Sequence, residues 1–434
     1  MLFRSEGTVE YQRFNIDPGW KEDKWIKHIE CRPGNPSVVH HIIVYLRPPA
    51  GPKKSGAGRL VNDWLAAYAP GSPAPNLGEG YARYAPAGSQ LVFEVHYTPN
   101  GTKQKDKSFC GIIFADPKSV KKEVAVKNAG SFDFRIPPGA ENHQVDSYYN
   151  FRENSLLVSV SPHMHLRGKD FRYDLVYPDG KTETILWVPR YDFGWQTTYT
   201  FKEPKRLPKG TKMHCVAHFD NSENNLSNPD PKADVRFGEQ TWEEMMFGWF
   251  EVALEDQDLT KPQPTPVPRT KTFLAGLKAG EQANEQVIHL AREVLAGKEP
   301  FGRFCFQVRD SMPQVDRICV TFVDDGKLRI FQAIDFDSIR TGFSSPATVL
   351  PASGELLART AASDQPIVVE DLSKAEGKVA RRLASKGFAS SYHLPIEVNG
   401  KKGTLSLWSQ EKDAFNPQVL EFFQPAAAAL PRAR

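Results

Sequence analysis

The sequence contains no long hydrophobic run, and no stretch approaches the roughly 20 apolar residues of a membrane-spanning helix. It also contains no basic cluster with interleaved aromatic residues, and its formal net charge of +3 is small and spread along the chain. Neither a membrane nor a nucleic acid is therefore expected as a partner. The first residues, Met1–Gly7, lack the apolar core of a signal peptide, which predicts a cytoplasmic protein unless the sequence lacks its true start.

Cysteine is scarce. The chain has 5 cysteines among 434 residues, and they do not show the paired spacing of a disulfide framework or of a cysteine-ligated zinc site. Each cysteine is expected to act as a small buried hydrophobic residue. A chain of this length is too long for one ordinary core, so two or three domains are expected.

Residues 7–256 consist of short apolar segments broken by proline, glycine and asparagine, with hardly any helical periodicity. This pattern is typical of β-sandwiches, and the length fits two in tandem, at residues 7–125 and 126–256. The predicted strands are Thr8–Phe14, Val38–Leu46, Gln90–Tyr97, Ser108–Phe114, Ser155–Val160, Phe171–Tyr177, Glu183–Val188, Gln196–Phe201 and Lys212–Phe219.

A proline-rich spacer at residues 257–272 separates this part of the chain from residues 273–434, where helical and hairpin patterns alternate. The sequence therefore predicts a mostly β chain, with two tandem β-sandwich (jelly-roll-like) domains followed by an α+β domain. The elements predicted in the last domain are the helices Ala283–Leu295, Glu355–Ala361 and Pro417–Ala429, the strand Pro366–Val369, and the hairpins Arg317–Val323 with Lys327–Ala333 and Tyr392–Val398 with Gly403–Trp408.

Two histidines, His163 and His165, follow the apolar, β-prone segment Ser155–Val160. In a strand, residues two apart point to the same face, so the two imidazoles project together and make half of a metal site. Imidazole suits copper, zinc, iron and nickel. The alternative is a pair of polar residues on a solvated strand face.

Three further features carry candidate ligands. His40 and His41 are adjacent in an apolar segment, so both reach one ion only if the backbone departs from a regular strand or the rings use different nitrogens. His96 alternates with Glu94 on one strand face, and alone it is more typical of a hydrogen-bonded core or edge histidine. Met245 lies in an apolar segment, where a thioether either packs in the core or serves as a soft ligand that selects Cu(I).

Taken in chain order, the His-His pair, the lone histidine before a tyrosine, the His-x-His pair and the late Glu-Met resemble the copper type II, ascorbate-dependent monooxygenases over about residues 7–253. The segments Gly194-Trp195-Gln196 and Phe219-Asp220-Asn221-Ser222 carry the same resemblance.

The resemblance implies two coppers per chain, each on its own β-sandwich, across an open, solvent-filled cleft. The first copper would take electrons from ascorbate or another reductant. At the second copper, O2 would bind and a C–H bond of a small organic substrate would be hydroxylated. Family members usually work outside the cytoplasm, a location that this chain would share if its N-terminus is incomplete. The implied ligands are His40, His41 and His96 for the first copper and the catalytic His163, His165 and Met245 for the second.

The chain departs from the peptide-amidating members of that family. Ser161 occupies the position of the arginine that grips the substrate carboxylate, and Phe247 and Trp249 replace polar residues after the ligand methionine. Glu94 stands where the amidating enzyme has an amide. Peptide amidation is therefore not expected, and the apolar surroundings of Met245 indicate a hydrophobic substrate.

The remaining histidines are expected to have other roles. His214 and His218 lie at even spacing on one strand, as supporting or structural groups, and they are the alternative ligands if the assignment above fails. His143 is expected in a solvated polar loop. Ordinary surface or hydrogen-bonded roles are expected for His28, His289 and His393.

The last domain, residues 273–434, resembles a GAF domain. The resemblance implies a small sheet that binds a ligand in a pocket or dimerises through flanking helices. A dimerising or regulatory module with an unidentified ligand is favoured, and covalent attachment of a chromophore to Cys305 or Cys319 is not expected. The segments that carry this resemblance are Asp316–Gly326, Ser353–Thr360, Gln365–Asp371, Leu394–Val398 and Gly403–Trp408.

Two functional hypotheses follow. The first is a two-copper monooxygenase that uses O2 and an external electron donor, with a GAF module for regulation or homodimerisation. The second is a copper- or ligand-sensing regulator whose metal sites are catalytically silent. Substrate-dependent turnover of O2 distinguishes the first from the second. The identities of the substrate, the reductant and the GAF ligand do not follow from the sequence.

Overall fold

The structure of the protein is a computed structural model, and it describes residues 9, 11–49, 64–69, 77–131, 134–238, 240–262, 268–277, 301–335, 349–352, 355–363 and 365–430. These residues fall into two compact units, an N-terminal one that runs to residue 262 and a C-terminal one that begins at residue 268. The assignment of residues 7–125 and 126–256 to separate domains stays a prediction.

The first half of the N-terminal unit is a β-sandwich of two four-stranded sheets, with strand orders β1-β6-β3-β4 and β7-β2-β5-β8. All neighbouring strands are antiparallel except β5 and β8. Apolar residues of both sheets, such as Ile26, Ile42 and Val95, form a common buried core. The strands are β1 Gln12–Ile16, β2 Lys24–Arg32, β3 Val39–Arg47, β4 Trp64–Tyr68, β5 Tyr81–Ala85, β6 Gln90–Tyr97, β7 Phe109–Phe114 and β8 Lys122–Glu123.

The second half of the unit is another sandwich, with strand orders β15-β12-β18-β9 and β11-β16-β13-β14 and a small pair β10-β17. Its core joins Leu157 and Phe250 of one sheet to Phe171 and Phe219 of the other. The strands are β9 Ala125–Ser131, β10 Arg135–Ile136, β11 His143–Asn150, β12 Ser155–His163, β13 Gly168–Val176, β14 Thr182–Val188, β15 Tyr199–Leu207, β16 Lys212–Phe219, β17 Val235–Arg236 and β18 Met246–Leu254.

The C-terminal unit contains a six-stranded antiparallel sheet of order β21-β20-β19-β24-β23-β22, with helices packed against it. The hairpin turn at Asn399-Gly400 has positive φ at both residues, 51° and 74°, a conformation that asparagine and glycine tolerate well. The elements are α1 Arg269–Gly276, α2 Phe301–Ser311, β19 Arg317–Asp324, β20 Lys327–Asp335, β21 Val349–Pro351, α3 Leu356–Ala362, β22 Ile367–Val369, α4 Lys378–Ser385, β23 Ser390–Val398, β24 Lys401–Ser409 and α5 Pro417–Ala429.

The prediction of a mostly β chain with two β-sandwiches followed by an α+β domain is confirmed. Three local expectations are wrong. The strand expected at Thr8–Phe14 is observed at Gln12–Ile16, and the strand expected at Gln196–Phe201 begins only at Tyr199. His143 opens β11 instead of lying in a loop. The helix expected at Ala283–Leu295 lies outside the described residues. Within the described part of the chain, no helix has the length and apolar character needed to cross a membrane.

Candidate metal centre

A β-bulge in β3 brings His40 and His41 to the same side of their sheet. Val39 lies opposite Tyr97 of β6, but His41 already lies opposite His96, so His40 is an extra residue with no partner position. A bulge of this kind re-aims side chains that would otherwise alternate between the two faces. The structure therefore shows the departure from a regular strand that two adjacent histidines need to reach one ion.

His40, His41 and His96, here called the first histidine set, converge on one point. Their ligand nitrogens all lie within 4.8 Å of one another, and the Nδ1 atoms of His40 and His41 are 3.2 Å apart. Two imidazole nitrogens that share one ion, at about 2.0–2.1 Å each, lie about 3–4 Å apart. His96 Nδ1 is buried and has no hydrogen-bond partner among the described residues, although buried polar atoms are nearly always paired. A bound metal ion fits this leftover lone pair.

Burial keeps the first histidine set neutral. It lowers the pKa of His40, and together with the charge of His40 it lowers the pKa of His96 to about 4. For His41, burial is again the main cause of a strongly lowered pKa, and the neighbouring imidazoles add to it. Neutral imidazole is the form that binds metals, so all three side chains are ready to act as ligands near pH 7.

The second ligand set, as predicted from the sequence, is His163, His165 and Met245. His163 lies opposite Phe247 in the antiparallel pairing of β12 with β18. Met245 directly precedes β18, two residues before Phe247. The ring centroids of His163 and His165 are 5.2 Å apart. Met246 is fully buried in the core of the sandwich.

Hydrogen bonds orient both imidazoles of the second ligand set. His163 Nδ1 lies 2.6 Å from Gln196 Oε1, and His165 Nδ1 lies 3.3 Å from the carbonyl oxygen of Glu243. Since both partners can only accept, each Nδ1 carries the hydrogen and each Nε2 keeps a free lone pair. Burial lowers the pKa of both rings, that of His165 to about 3, which again favours the neutral ligand form.

A buried carboxyl group, that of Glu244, fixes the backbone around this set. Glu244 Oε2 accepts from the backbone N–H of His165 at 2.8 Å and of Met245 at 3.3 Å, and its Oε1 accepts from the N–H of Arg167 at 2.7 Å. Burial raises the pKa of Glu244 to about 8, against the effect of these donors and of the Arg167 charge. One side chain thus connects the segment of the histidines to that of the methionine.

Arg167 extends this support into the loops. It is fully buried, its Nε donates to Asn221 Oδ1 at 2.8 Å, and its Nη1 donates to the carbonyl oxygen of Trp242 at 2.9 Å. The sequence did not reveal the supporting roles of Glu244 and Arg167. Glu244, in the late Glu-Met pair, and Asn221 stood out only because they lie in segments that carry the family resemblance.

The two ligand sets lie on sheet faces that pack against each other within the N-terminal unit. The rings of Trp64 and Trp249 are 4.6 Å apart, and the buried Arg83 of β5 forms an ion pair with Glu251 of β18. Phe193 reaches both sets: its ring is 5.0 Å from that of His40 and 5.8 Å from that of His165. Nothing in the sequence pointed to a role for Phe193.

Other histidines lie away from both sets. His214 and His218 are on β16, in the sheet that does not contain β12, where they pair with Asp146 at 2.7 Å and Asp170 at 2.9 Å. Their contacts are those of structural residues. His393, in the C-terminal unit, is fully buried between hydroxyl groups.

Two of the cysteines face each other. Cys31 of β2 lies opposite Cys110 of β7, and their Sγ atoms are 3.7 Å apart. Spacing along the sequence gave no sign of this pair.

Comparison with known proteins identifies the C-terminal unit. Residues 301–433 match the family model of the GAF domain. No curated protein matches the chain. Among solved structures, the GAF domain of nlh2 from A. Aeolicus is similar at 13% identity, over 34% of this chain and 90% of that chain, with a TM-score of 0.26.

Two further solved structures are similar. A type II free methionine-R-sulfoxide reductase from Thermoplasma acidophilum has 14% identity, 34% of this chain and 99% of that chain covered, and a TM-score of 0.22. A structure of infectious bursal disease virus, Gx strain, is similar at 8% identity, over 58% of this chain and 75% of that chain, with a TM-score of 0.18. These TM-scores carry no argument about function. The GAF resemblance is confirmed, whereas the resemblance to copper monooxygenases stays a prediction.

Proposed function

We propose that the N-terminal unit is a copper-dependent monooxygenase that hydroxylates a C–H bond of a small organic substrate with O2 and an external electron donor such as ascorbate. The observation that carries the proposal is the first histidine set, in which a β-bulge aims adjacent histidines at His96 and leaves a buried nitrogen unpartnered. Three neutral imidazoles suit copper among other transition metals. The C-terminal GAF domain is a regulatory or ligand-binding module.

The two ligand sets suit different tasks. His40, His41 and His96 would hold a copper that exchanges electrons with the reductant, because an all-imidazole site serves both oxidation states. At the second ligand set, copper would supply the activation of O2, and the thioether of Met245 favours the reduced ion. Gln196 and Glu243 hold the imidazoles in the tautomer that this role requires.

The surroundings of the second ligand set favour an apolar substrate. The ring of Phe247 lies 6.4 Å from that of His163, and Trp249 lies 5.2 Å from Phe247. Ser161, on the same face of β12, offers only a hydroxyl to a substrate carboxylate. These neighbours support a hydrophobic, uncharged substrate instead of a peptide carboxylate.

The GAF domain favours a second candidate function. A regulator that senses copper or another ligand would keep the metal sites, lack turnover and pass the signal through the GAF domain. Homodimerisation through this domain stays a prediction, which light scattering of the full chain can test.

Metal analysis of the full chain tests the proposal. We expect two coppers per chain in the wild type and about one in the double variant His163→Ala/Met245→Ala. The matched control is His214→Ala, whose imidazole is bound to Asp146 on the other sheet, and it should keep both coppers. Fewer than two coppers in the wild type, or no loss in the double variant, would contradict the ligand assignment.

Turnover then separates the two functions. The copper-loaded protein is given ascorbate, isotopically labelled O2 and a panel of small aromatic and aliphatic compounds, and products are analysed by mass spectrometry. Labelled hydroxylated product that disappears in the double variant supports the enzyme. Two bound coppers without product, together with copper-dependent changes in self-association, favour the sensor.

A further inference from the structure

Phe193 is the one described side chain with ring contacts to both ligand sets. Its ring stacks on His40 with the planes 21° apart and meets His165 edge-on at 81°. The centroids of His40 and His165 are therefore no farther apart than the sum of the two ring distances. The side chain of Phe193 therefore lies between the two sets.

The loop that carries Phe193 is fastened to the second ligand set on both sides of this residue. The Tyr191 hydroxyl donates to the carbonyl oxygen of Met164 at 2.7 Å and accepts from the Met164 N–H at 3.0 Å. Met164 lies between the two histidines of the set. On the other side, Gln196 Nε2 donates to the Phe193 carbonyl oxygen at 2.9 Å, while Gln196 Oε1 accepts from His163.

These contacts make the loop a rigid extension of the second sandwich. A tight turn completes it, with Asp192 Oδ1 accepting from the Gly194 N–H at 2.8 Å. The position of Phe193 is thus determined by the segment His163–His165. Through its ring contact with His40, Phe193 links the first sandwich to that segment.

We propose that Phe193 is a positioning residue that holds the first histidine set at a fixed, short separation from the second ligand set. An aromatic ring is suited to this task because it is large and stiff, with only two rotatable bonds. The inference rests on the proposed function, since the separation matters only when both sets hold a metal that exchanges electrons.

Pulsed electron paramagnetic resonance on the full chain loaded with copper(II) measures the separation directly. We expect one narrow distribution of copper–copper distances in the wild type and in Phe193→Tyr. Phe193→Ala removes both ring contacts, so its distribution should shift to longer distances and broaden. The control is Trp195→Ala, two residues further along the loop, whose side chain is 60% exposed and whose loss should leave the distribution unchanged.

The outcomes separate this inference from the proposed function. Two bound coppers with the same distance distribution in Phe193→Ala as in the wild type would overturn the role of Phe193 and leave the proposed function standing. An equal broadening in Trp195→Ala would also overturn it. Fewer than two coppers in the wild type would overturn the proposed function itself. If Phe193→Ala does not fold, Phe193→Leu gives the same test, since it keeps apolar bulk without the stacked ring.

Discussion

Replacing Arg83 by methionine should destabilise the N-terminal unit by about 3–5 kcal/mol. Arg83 is 2% exposed and Glu251 is 6% exposed, and the guanidinium donates both to Glu251 and to the carbonyl oxygen of Leu65. Without it, Glu251 stays buried with the hydroxyl of Ser159, 2.8 Å away, as its remaining partner. At contact distance and an effective dielectric constant of about 20, the lost attraction alone amounts to about 5 kcal/mol.

A double-mutant cycle measures this coupling. Urea denaturation of the full chain, followed by tryptophan fluorescence and circular dichroism, compares the wild type with Arg83→Met, Glu251→Gln and the double variant. The double variant should be more stable than Arg83→Met alone, because the unpaired carboxylate is then gone. The matched control is Arg135→Met, which breaks the exposed ion pair with Asp234 and should leave the free energy of unfolding nearly unchanged.

Two results would refute this reasoning. One is a loss below about 1 kcal/mol for Arg83→Met, which would mean that water reaches the pair. The other is additivity of the two single substitutions, which would mean that the residues do not interact in solution.

Three further predictions concern other parts of the chain. Glu244→Gln should lower the copper affinity of the second ligand set by about 10–100-fold, because the hydrogen-bond partners around a metal site orient its ligands. The first histidine set should stay loaded, and calorimetric titration measures both affinities. An unchanged affinity at the second set would contradict this prediction. Glutathione disulfide should oxidise the thiols of Cys31 and Cys110 to a disulfide, and the two thiol hydrogens end on the two glutathione thiols that form. The intact mass should fall by two hydrogens, a change that dithiothreitol reverses and Cys110→Ser abolishes. An unchanged mass would show that the strands hold the sulfurs apart. Burial lowers the pKa of His393 to about 3 from its usual 6.5, so the stabilisation it contributes is present above pH 6.5 and is lost as the pH falls towards 3. Between pH 7 and pH 5 the GAF domain should lose about 2 kcal/mol of stability through this group, in urea titrations at the two pH values, and His393→Gln should lose correspondingly less; equal losses in both proteins would contradict the assignment.

Local patterns were sufficient to predict many elements. The bounds expected for β6, β16 and α5 match those observed, because apolar alternation and turn residues delimit the strands and Asn416 caps the helix by accepting from the Val419 N–H. The strand expected at Gln196 fails because the side chain of Gln196 is engaged with His163 and Phe193, in a loop whose shape depends on distant residues.

The candidate site was only partly predictable. The candidate ligands stood out because histidine pairs are rare in apolar strands, but the residues that support them did not. Glu244 and Arg167 are separated by 77 residues in sequence, and Cys31 and Cys110 by 79, so only the folded sheets bring them together. Buried polar networks of this kind leave no periodic signal along the chain.

The extra residue in β3 determines how such a site can disappear during evolution. Loss of one residue, such as Val39, would restore regular pairing with β6 while both His40 and His41 remain. Regular alternation would then turn one imidazole away from the other ligands. A single codon deletion would thus disrupt the proposed metal site while every histidine is kept. Surveys that count histidines across genomes would continue to score such descendants as metalloproteins, and an alignment gap beside the His-His pair is the mark that would distinguish them.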